Sequence, residues 1–190
     1  MSFPTSMQFT KKDPFTLDEQ QISCQVRCLS PEEIPMILAL QQRLYQGIER
    51  KETFVTLSEP EWSYLMQHGL VVAIFPPERR EPAYLMGCIY PPEEENLGHD
   101  IGLSPEELEQ VAHLEIAMAD PEFRGFGMHS RMCQLCCEEL AQDGRTHFIL
   151  STVHPDNLPS KRALESAGLV TMVVKEKYGG KLRCIMLRRV

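Results

Sequence analysis

The chain has 190 residues, 43% of them apolar and 24% charged, with a formal net charge of −8. That length suits one domain with a sizeable core, and the acidic balance argues against nucleic acid as a partner. No apolar run is long enough to cross a membrane, residues 1–21 hold no apolar leader core, and the seven cysteines are scattered, so a cytoplasmic protein with reduced thiols and no membrane contact is expected.

In chain order, residues 1–21 read as a loosely structured N-terminal arm and residues 22–190 as one domain. Cys24 to Leu29 alternates well enough for a short strand. Ser30-Pro31-Glu32-Glu33 sets an N-cap serine, a first-turn proline and two acids ahead of apolar residues at helical spacing (Ile34, Leu38, Leu44, Ile48). Ser58-Glu59-Pro60-Glu61 starts a second helix, which Gly69 should end. Leu70 to Phe75 and Ala83 to Tyr90 are strand-length apolar runs, with a proline-rich hairpin loop between them. An acidic loop over 91–102 and a short helix from Ser104-Pro105 lead to a strand over 111–119, a glycine turn and a helix over 128–142. Phe148 to Val153 predicts a strand and Asn157 to Ala167 a helix closed by Gly168. Strands over 170–174 and 183–187 flank Tyr178-Gly179-Gly180. This order predicts one α/β domain on a mixed sheet. Residues 1–120 hold 8 Lys/Arg against 20 Asp/Glu, whereas residues 121–190 hold 11 against 7. The acidic part suits a cationic small molecule and the basic part an anionic one.

The chemistry concentrates in Pro121-Glu122-Phe123-Arg124-Gly125-Phe126-Gly127-Met128-His129, a turn between a strand and a helix. A helix start leaves backbone N–H groups unpaired at the positive end of the helix dipole, which favours an anion, phosphate above all. Gly125 and Gly127 allow close backbone approach. About 30 residues later, Val153-His-Pro-Asp-Asn157 leads into Ser160-Lys-Arg-Ala-Leu164 and Gly168-Leu169.

Together these two segments resemble the GNAT superfamily of acyl-CoA-dependent N-acyltransferases, with specific likeness mainly over 111–169. In that family an Arg/Gln-x-x-Gly-x-Gly/Ala turn cradles the CoA pyrophosphate, and Arg124, Gly127 and His129 stand at its three marked positions. The resemblance implies a GNAT-like fold, with a mixed, mostly antiparallel sheet of about seven strands flanked by helices. It also implies acetyl-CoA as cosubstrate and an amine of a small molecule or peptide as acceptor, with a homodimer left open. CoA would lie against Ala117, Met118 and Ala119, against the turn residues Arg124, Gly125, Phe126, Gly127, Met128 and His129, and against Asn157, Ser160 and Lys161. Arg131 and Arg162 suit its phosphates. The His129 imidazole, which replaces a small residue, either adds a hydrogen bond to the pyrophosphate or, as the favoured reading, lies on the surface.

Transfer to an amine needs a group that removes the ammonium proton. Glu115 is the first candidate, because period-2 alternation puts it on one face with His113, Ala117 and Ala119. His113 is the second, and Tyr178 is a candidate pocket wall or acid. Many family members carry a tyrosine where this chain has Leu164, which implies that the departing thiolate lacks that acid here. The alternative is a non-catalytic acyl-CoA-binding module. Cys133-Gln-Leu-Cys136-Cys137 lies inside a predicted helix and reads as core packing rather than a metal site, so no metal is expected.

Overall fold

Short apolar and β-branched runs build one sheet from Ser6–Lys12 (β1), Glu19–Cys28 (β2), Gly69–Phe75 (β3), Tyr84–Ile89 (β4), Val111–Ala119 (β5), Phe148–Val153 (β6), Val170–Lys177 (β7) and Lys181–Arg189 (β8). The computed structural model describes residues 3–12 and 18–190. The sheet order is β1-β2-β3-β4-β5-β6-β8-β7. All neighbouring strands run antiparallel except β5 and β6, which are parallel. The mixed, mostly antiparallel sheet therefore stands, with eight described strands in place of seven.

The extra strand comes from the stretch read as a loose arm. Met7, Phe9 and Lys11 fall on one side of β1, Phe9 is only 4% exposed, and β1 pairs along its whole length with β2. β2 itself begins at Glu19 rather than near Cys24. The rest of that arm, residues 1–2 and 13–17, lies outside the described residues. The last hairpin also runs longer than its apolar core, because the polar ends of β7 and β8 pair down to Lys177 opposite Lys181.

The helices are Ile34–Gln46 (α1), Glu59–His68 (α2), Pro105–Leu108 (α3), Met128–Ala141 (α4) and Leu158–Ser166 (α5). The same Ser-x-x-Glu device starts three of these segments. The carboxylates of Glu33, Glu61 and Glu107 accept the N–H of Ser30, Ser58 and Ser104 at 3.0, 2.6 and 2.8 Å. Glu33 also pairs with Arg27 at 2.7 Å, which ties the turn before α1 to the end of β2.

α4 and α5 pack on one sheet face, burying Met132, Cys133, Cys136, Cys137, Ala163 and Leu164 against Val72, Tyr84, Met86, Leu114 and Met186. The Cys133–Cys137 motif is thus core packing. Against the other face, α1 and α2 bury Ile37, Leu40, Trp62 and Leu65 over Val71, Leu85, Ile116 and Met118. Beside them Leu97 covers Val111, Leu150, Ile185 and Leu187.

α2 ends at His68 with Gly69 in the cap position, as expected, although not through the left-handed turn usual for a glycine cap. The Gly69 backbone is extended, with φ −165°, and passes directly into β3. A glycine is needed there for room, because a Cβ would sit 1.9 Å from the carbonyl oxygen of Cys88 on β4. Gly69→Ala is therefore expected to cost about 3 kcal/mol, since the contact is backbone and cannot yield as a side chain would. Urea denaturation of the variant reads this cost, and an unchanged midpoint would contradict the close approach.

Candidate active site

β5 and β6 pair only over Val111–His113 and Phe148–Leu150, then diverge. Ser151 marks the fork, donating its hydroxyl to the carbonyl of Leu114 at 2.8 Å. A cavity of about 830 Å³ opens there, lined among others by Leu114, Glu115, Ala117, Thr152, His154 and Leu164. Such a volume suits a drug-sized ligand.

The divergence coincides with an irregularity in β5. Gly87 pairs with Ile116, yet the next residue, Cys88, pairs with Leu114, so Glu115 is an extra residue opposite β4. The bulge reverses the alternation. Ala112 and Leu114 face α4 and α5, but beyond the bulge Ala117 takes that side while Ile116 and Met118 face α1 and α2. The expectation that His113, Glu115, Ala117 and Ala119 share one face is therefore corrected: His113 lies on the opposite side from Ala117. Met118 is buried beneath the helices and offers a ligand only its backbone, and Ala119 is exposed outside the cavity lining.

His113 and Glu115 meet all the same, with Nδ1 3.2 Å from Oε2. His113 Nε2 accepts the N–H of Leu97 at 3.2 Å, so the ring hydrogen sits on Nδ1 and is donated to the carboxylate. The histidine is 2% exposed and its one lone pair is used. Its Nδ1–H holds the Glu115 carboxylate in place, and both residues line the cavity.

Tyr178 lines the cavity as well. It sits at φ 51°, followed by Gly179 and Gly180 at φ 75° and 88°, a left-handed turn that leaves the residue 43% exposed while its hydroxyl end borders the cavity. Its hydroxyl lies 3.3 Å from Thr152 Oγ1. Burial of the phenol, reinforced by Glu115, pushes its pKa up to about 12, so it stays protonated at neutral pH.

The turn before α4 is anchored by alternate residues. Phe126 and Met128 sink into the core, while Arg124, Gly125 and Gly127 stay outside. The Phe126 and Met128 side chains are thus unavailable to a ligand. Gly127 caps α4 at φ 72°, and the first helical bond runs from Arg131 N–H to Gly127 O at 3.1 Å. The N–H groups of Gly125 through Ser130 have no hydrogen-bond partner among the described residues. Asp120, with its side chain 1% exposed, holds the start of the turn by accepting the Glu122 N–H at 3.0 Å and pairing with Arg43 and Arg79 at 3.2 and 3.3 Å.

The His129 ring does not lie on the surface. Its Nδ1 is 2.7 Å from the Tyr84 hydroxyl and its Nε2 is 3.0 Å from Ser160 Oγ, which joins α4 to β4 and α5. Burial lowers its pKa to about 4, so the ring is neutral. Burial also holds the Tyr84 phenol well above its ordinary value. His129, Ser160, Asn157 and Leu164 all line the cavity. Asn157 caps α5 by accepting the Ser160 N–H at 3.3 Å. Lys161 is outside the lining and faces Glu165 one helical turn on, at 3.9 Å. Arg131 and Arg162 are exposed.

Two residues of the site escape the motif reading, Tyr84 behind His129 and Arg183 in the cavity lining. Tyr84 is hidden in an apolar run. Arg183 is also buried, and its signal was alternation, since it shares a strand face with Ile185 and Leu187.

No protein-family model and no curated protein matches the chain. Solved structures do. An acetyltransferase of the GNAT family from Streptococcus pneumoniae matches with a TM-score of 0.65 at 12% identity, over 88% of this chain and 99% of that one. A ribosomal-protein-S5-alanine acetyltransferase from Vibrio fischeri gives 0.64 at 15% identity, over 87% and 92%. An aminoglycoside acetyltransferase in complex with coenzyme A and kanamycin gives 0.60 at 17% identity, over 87% and 94%. The chain has the fold of these GNAT acetyltransferases.

The depressed His129 pKa has a consequence for stability. Between pH 6.5 and about 4 the unfolded chain binds a proton on His129 that the folded chain refuses, so the contribution is full above 6.5 and is lost as pH falls through that window. Going from pH 7 to 4.5 is expected to remove on the order of 2 kcal/mol through this residue. The His129→Gln variant should show a correspondingly smaller loss in denaturation curves at the two pH values, and equal losses would place the ring in solvent.

Proposed function

We propose that the chain is an N-acetyltransferase that moves an acetyl group from acetyl-CoA to an amine of a small cationic acceptor by direct attack. The observation that carries this reading is the fork between β5 and β6, which meets the free N–H groups at the start of α4 on one side and the Glu115 carboxylate on the other. Structures with the same fold include one holding coenzyme A with an aminoglycoside and one named for a ribosomal-protein alanine. In this reading the pyrophosphate rests on the Arg124–His129 turn, where the helix dipole and unpaired N–H groups offset its charge. The pantetheine arm follows the unpaired edge of β5 past Ala117.

Glu115, oriented by His113, takes the proton of the ammonium group, leaving a neutral amine. The nitrogen bonds to the thioester carbon, a backbone N–H of β5 stabilises the developing oxyanion, and the carbon–sulfur bond breaks. Leu164 offers no proton, but a thiol of pKa about 8.5 can depart as thiolate. Glu61, Glu94 and Glu95 in the cavity wall favour a cationic approach. A peptide amine is the other acceptor of the same chemistry. Seven free cysteines, six of them buried, fit a reducing cytoplasm. No helix among the described residues is long and apolar enough to cross a membrane. Residues 22–190 would form the catalytic domain, with β1 laid along it.

Leu164 favours a second reading, an acyl-CoA-binding module without turnover. Thiol release measured over a panel of amines separates the two, since tight CoA binding with no release on any amine would leave only the module. Under the enzyme reading, Glu115→Gln is expected to lower kcat about 10²-fold and to leave acetyl-CoA affinity nearly unchanged; an unaltered kcat would remove Glu115 as base. Arg124→Glu is expected to do the opposite, weakening CoA binding about tenfold by calorimetry. Full affinity in that variant would move the phosphate site elsewhere.

A further inference from the structure

Arg183 is the most unusual charge in the molecule. It is 3% exposed, lines the active-site cavity, and forms no ion pair among the described residues. Its guanidinium carries five N–H groups. Two of them are used, by the carbonyls of Glu52 and its own neighbour Leu182, both at 2.8 Å. Three carboxylates of this region are held elsewhere. Glu52 is 2.8 Å from Arg50, Glu115 lies against His113, and Glu61 caps α2 through Ser58. Burial disfavours the charged form and lowers its pKa below the ordinary arginine value, but arginine remains a cation. A buried cation facing two carbonyl dipoles and one aromatic ring, with no carboxylate in ion-pair reach among the described residues, is costly unless a ligand supplies the counter-charge.

Its place relative to the reacting end is also defined. Tyr178 feels Glu115 and Arg183 together, the first raising and the second lowering its pKa, after burial as the main cause. The guanidinium carbon lies 5.9 Å from the Tyr178 ring centre. A carboxylate that receives the amine and a guanidinium that lacks an anion therefore flank one aromatic ring in one cavity.

We propose that Arg183 binds a carboxylate of the acceptor, so that the acceptor is an amine carrying a carboxylate, of amino-acid size, with its ammonium at Glu115 and its carboxylate at Arg183. This rests on the acetyl-transfer reading for the identity of the reacting end, and it narrows a cationic acceptor to a zwitterionic one. A planar guanidinium with unused N–H groups suits a carboxylate better than a lysine would, because it can present two parallel donors.

The test is binding to the CoA-loaded protein, measured by calorimetry with N-acetyl amino acids and their primary amides, which are products and carboxylate-free analogues. At least one acid is expected to bind tenfold or more tighter than its amide, as befits a buried charge-assisted contact. Arg183→Gln should erase that difference, and Arg183→Lys should keep part of it. Proposals of a purely structural arginine, clamping Glu52 over the cavity, predict a lower melting temperature in both variants and no acid–amide difference in the wild type. The wild-type comparison decides even if a variant fails to fold: acids binding no better than amides, or a preference that survives in Arg183→Gln, would overturn the assignment. Turnover is scored separately. Acid preference in a protein that acetylates no amine would sink the transferase reading and leave Arg183 as a carboxylate site. Equal turnover of amino acids and their amides would do the reverse.

Discussion

The site depends on where one pair of strands stops pairing. β5 and β6 share three residue pairs and then part. Two local events part them. Glu115 adds a residue to β5, which bends and twists that strand. β6 ends at Val153, just before His154 and Pro155, and a proline cannot donate to a ladder. The carbonyl of Leu114 thereby loses its strand partner and is satisfied by Ser151 Oγ instead. A continuous sheet would have no cavity here. With the fork, an unpaired strand edge, His129 from the first turn of α4 and the Glu115 carboxylate all border the same space.

This explains which parts of the molecule were legible in the sequence. The helices announced themselves through Ser-Pro and Ser-x-x-Glu starts, and the arginine–glycine turn through its spacing, because these are local devices whose chemistry sits within four residues. The face of Glu115 was not legible. Period-2 alternation assumes an unbroken ladder, and an extra residue leaves no mark in the apolar pattern of 111–119; only the partner strand reveals it. β1 was missed because Met7 and Phe9 alternate in a short, polar run whose burial depends on β2. His129 was expected outside, since nothing near it in the sequence offers its ring a partner. Its ring instead fills the gap between Tyr84 and Ser160, contacts made across 45 and 31 residues of sequence.

The turn is held from outside the helix it begins. Asp120 draws in Arg43 from α1 and Arg79 from the loop after β3, and also accepts the Glu122 N–H. A buried carboxylate with two arginines is weak evidence for stability, because desolvation offsets much of the attraction. Its effect is geometric: three distant segments converge on the residue that follows β5. Phe126 and Met128 then pin the far side of the turn in the core. The exposed N–H groups between them are set before any ligand arrives, which lowers the ordering cost of binding.

The wall that carries Leu164 can now be given a direction. Tyr84 keeps its proton, so its hydroxyl donates to His129 Nδ1. The neutral ring must then carry its hydrogen on Nε2, which donates to Ser160 Oγ. The Ser160 hydroxyl hydrogen is left pointing away from the chain, on a residue that lines the cavity one helical turn before Leu164. No member of this chain releases a proton near neutral pH, since the imidazolium exists only below about pH 4 and Tyr84 is pushed the other way. In acetyl transfer such a wall supplies a hydrogen bond to a departing sulfur and no proton. The acceptor's nucleophilicity, set by Glu115, would then govern the reaction more than the leaving group does.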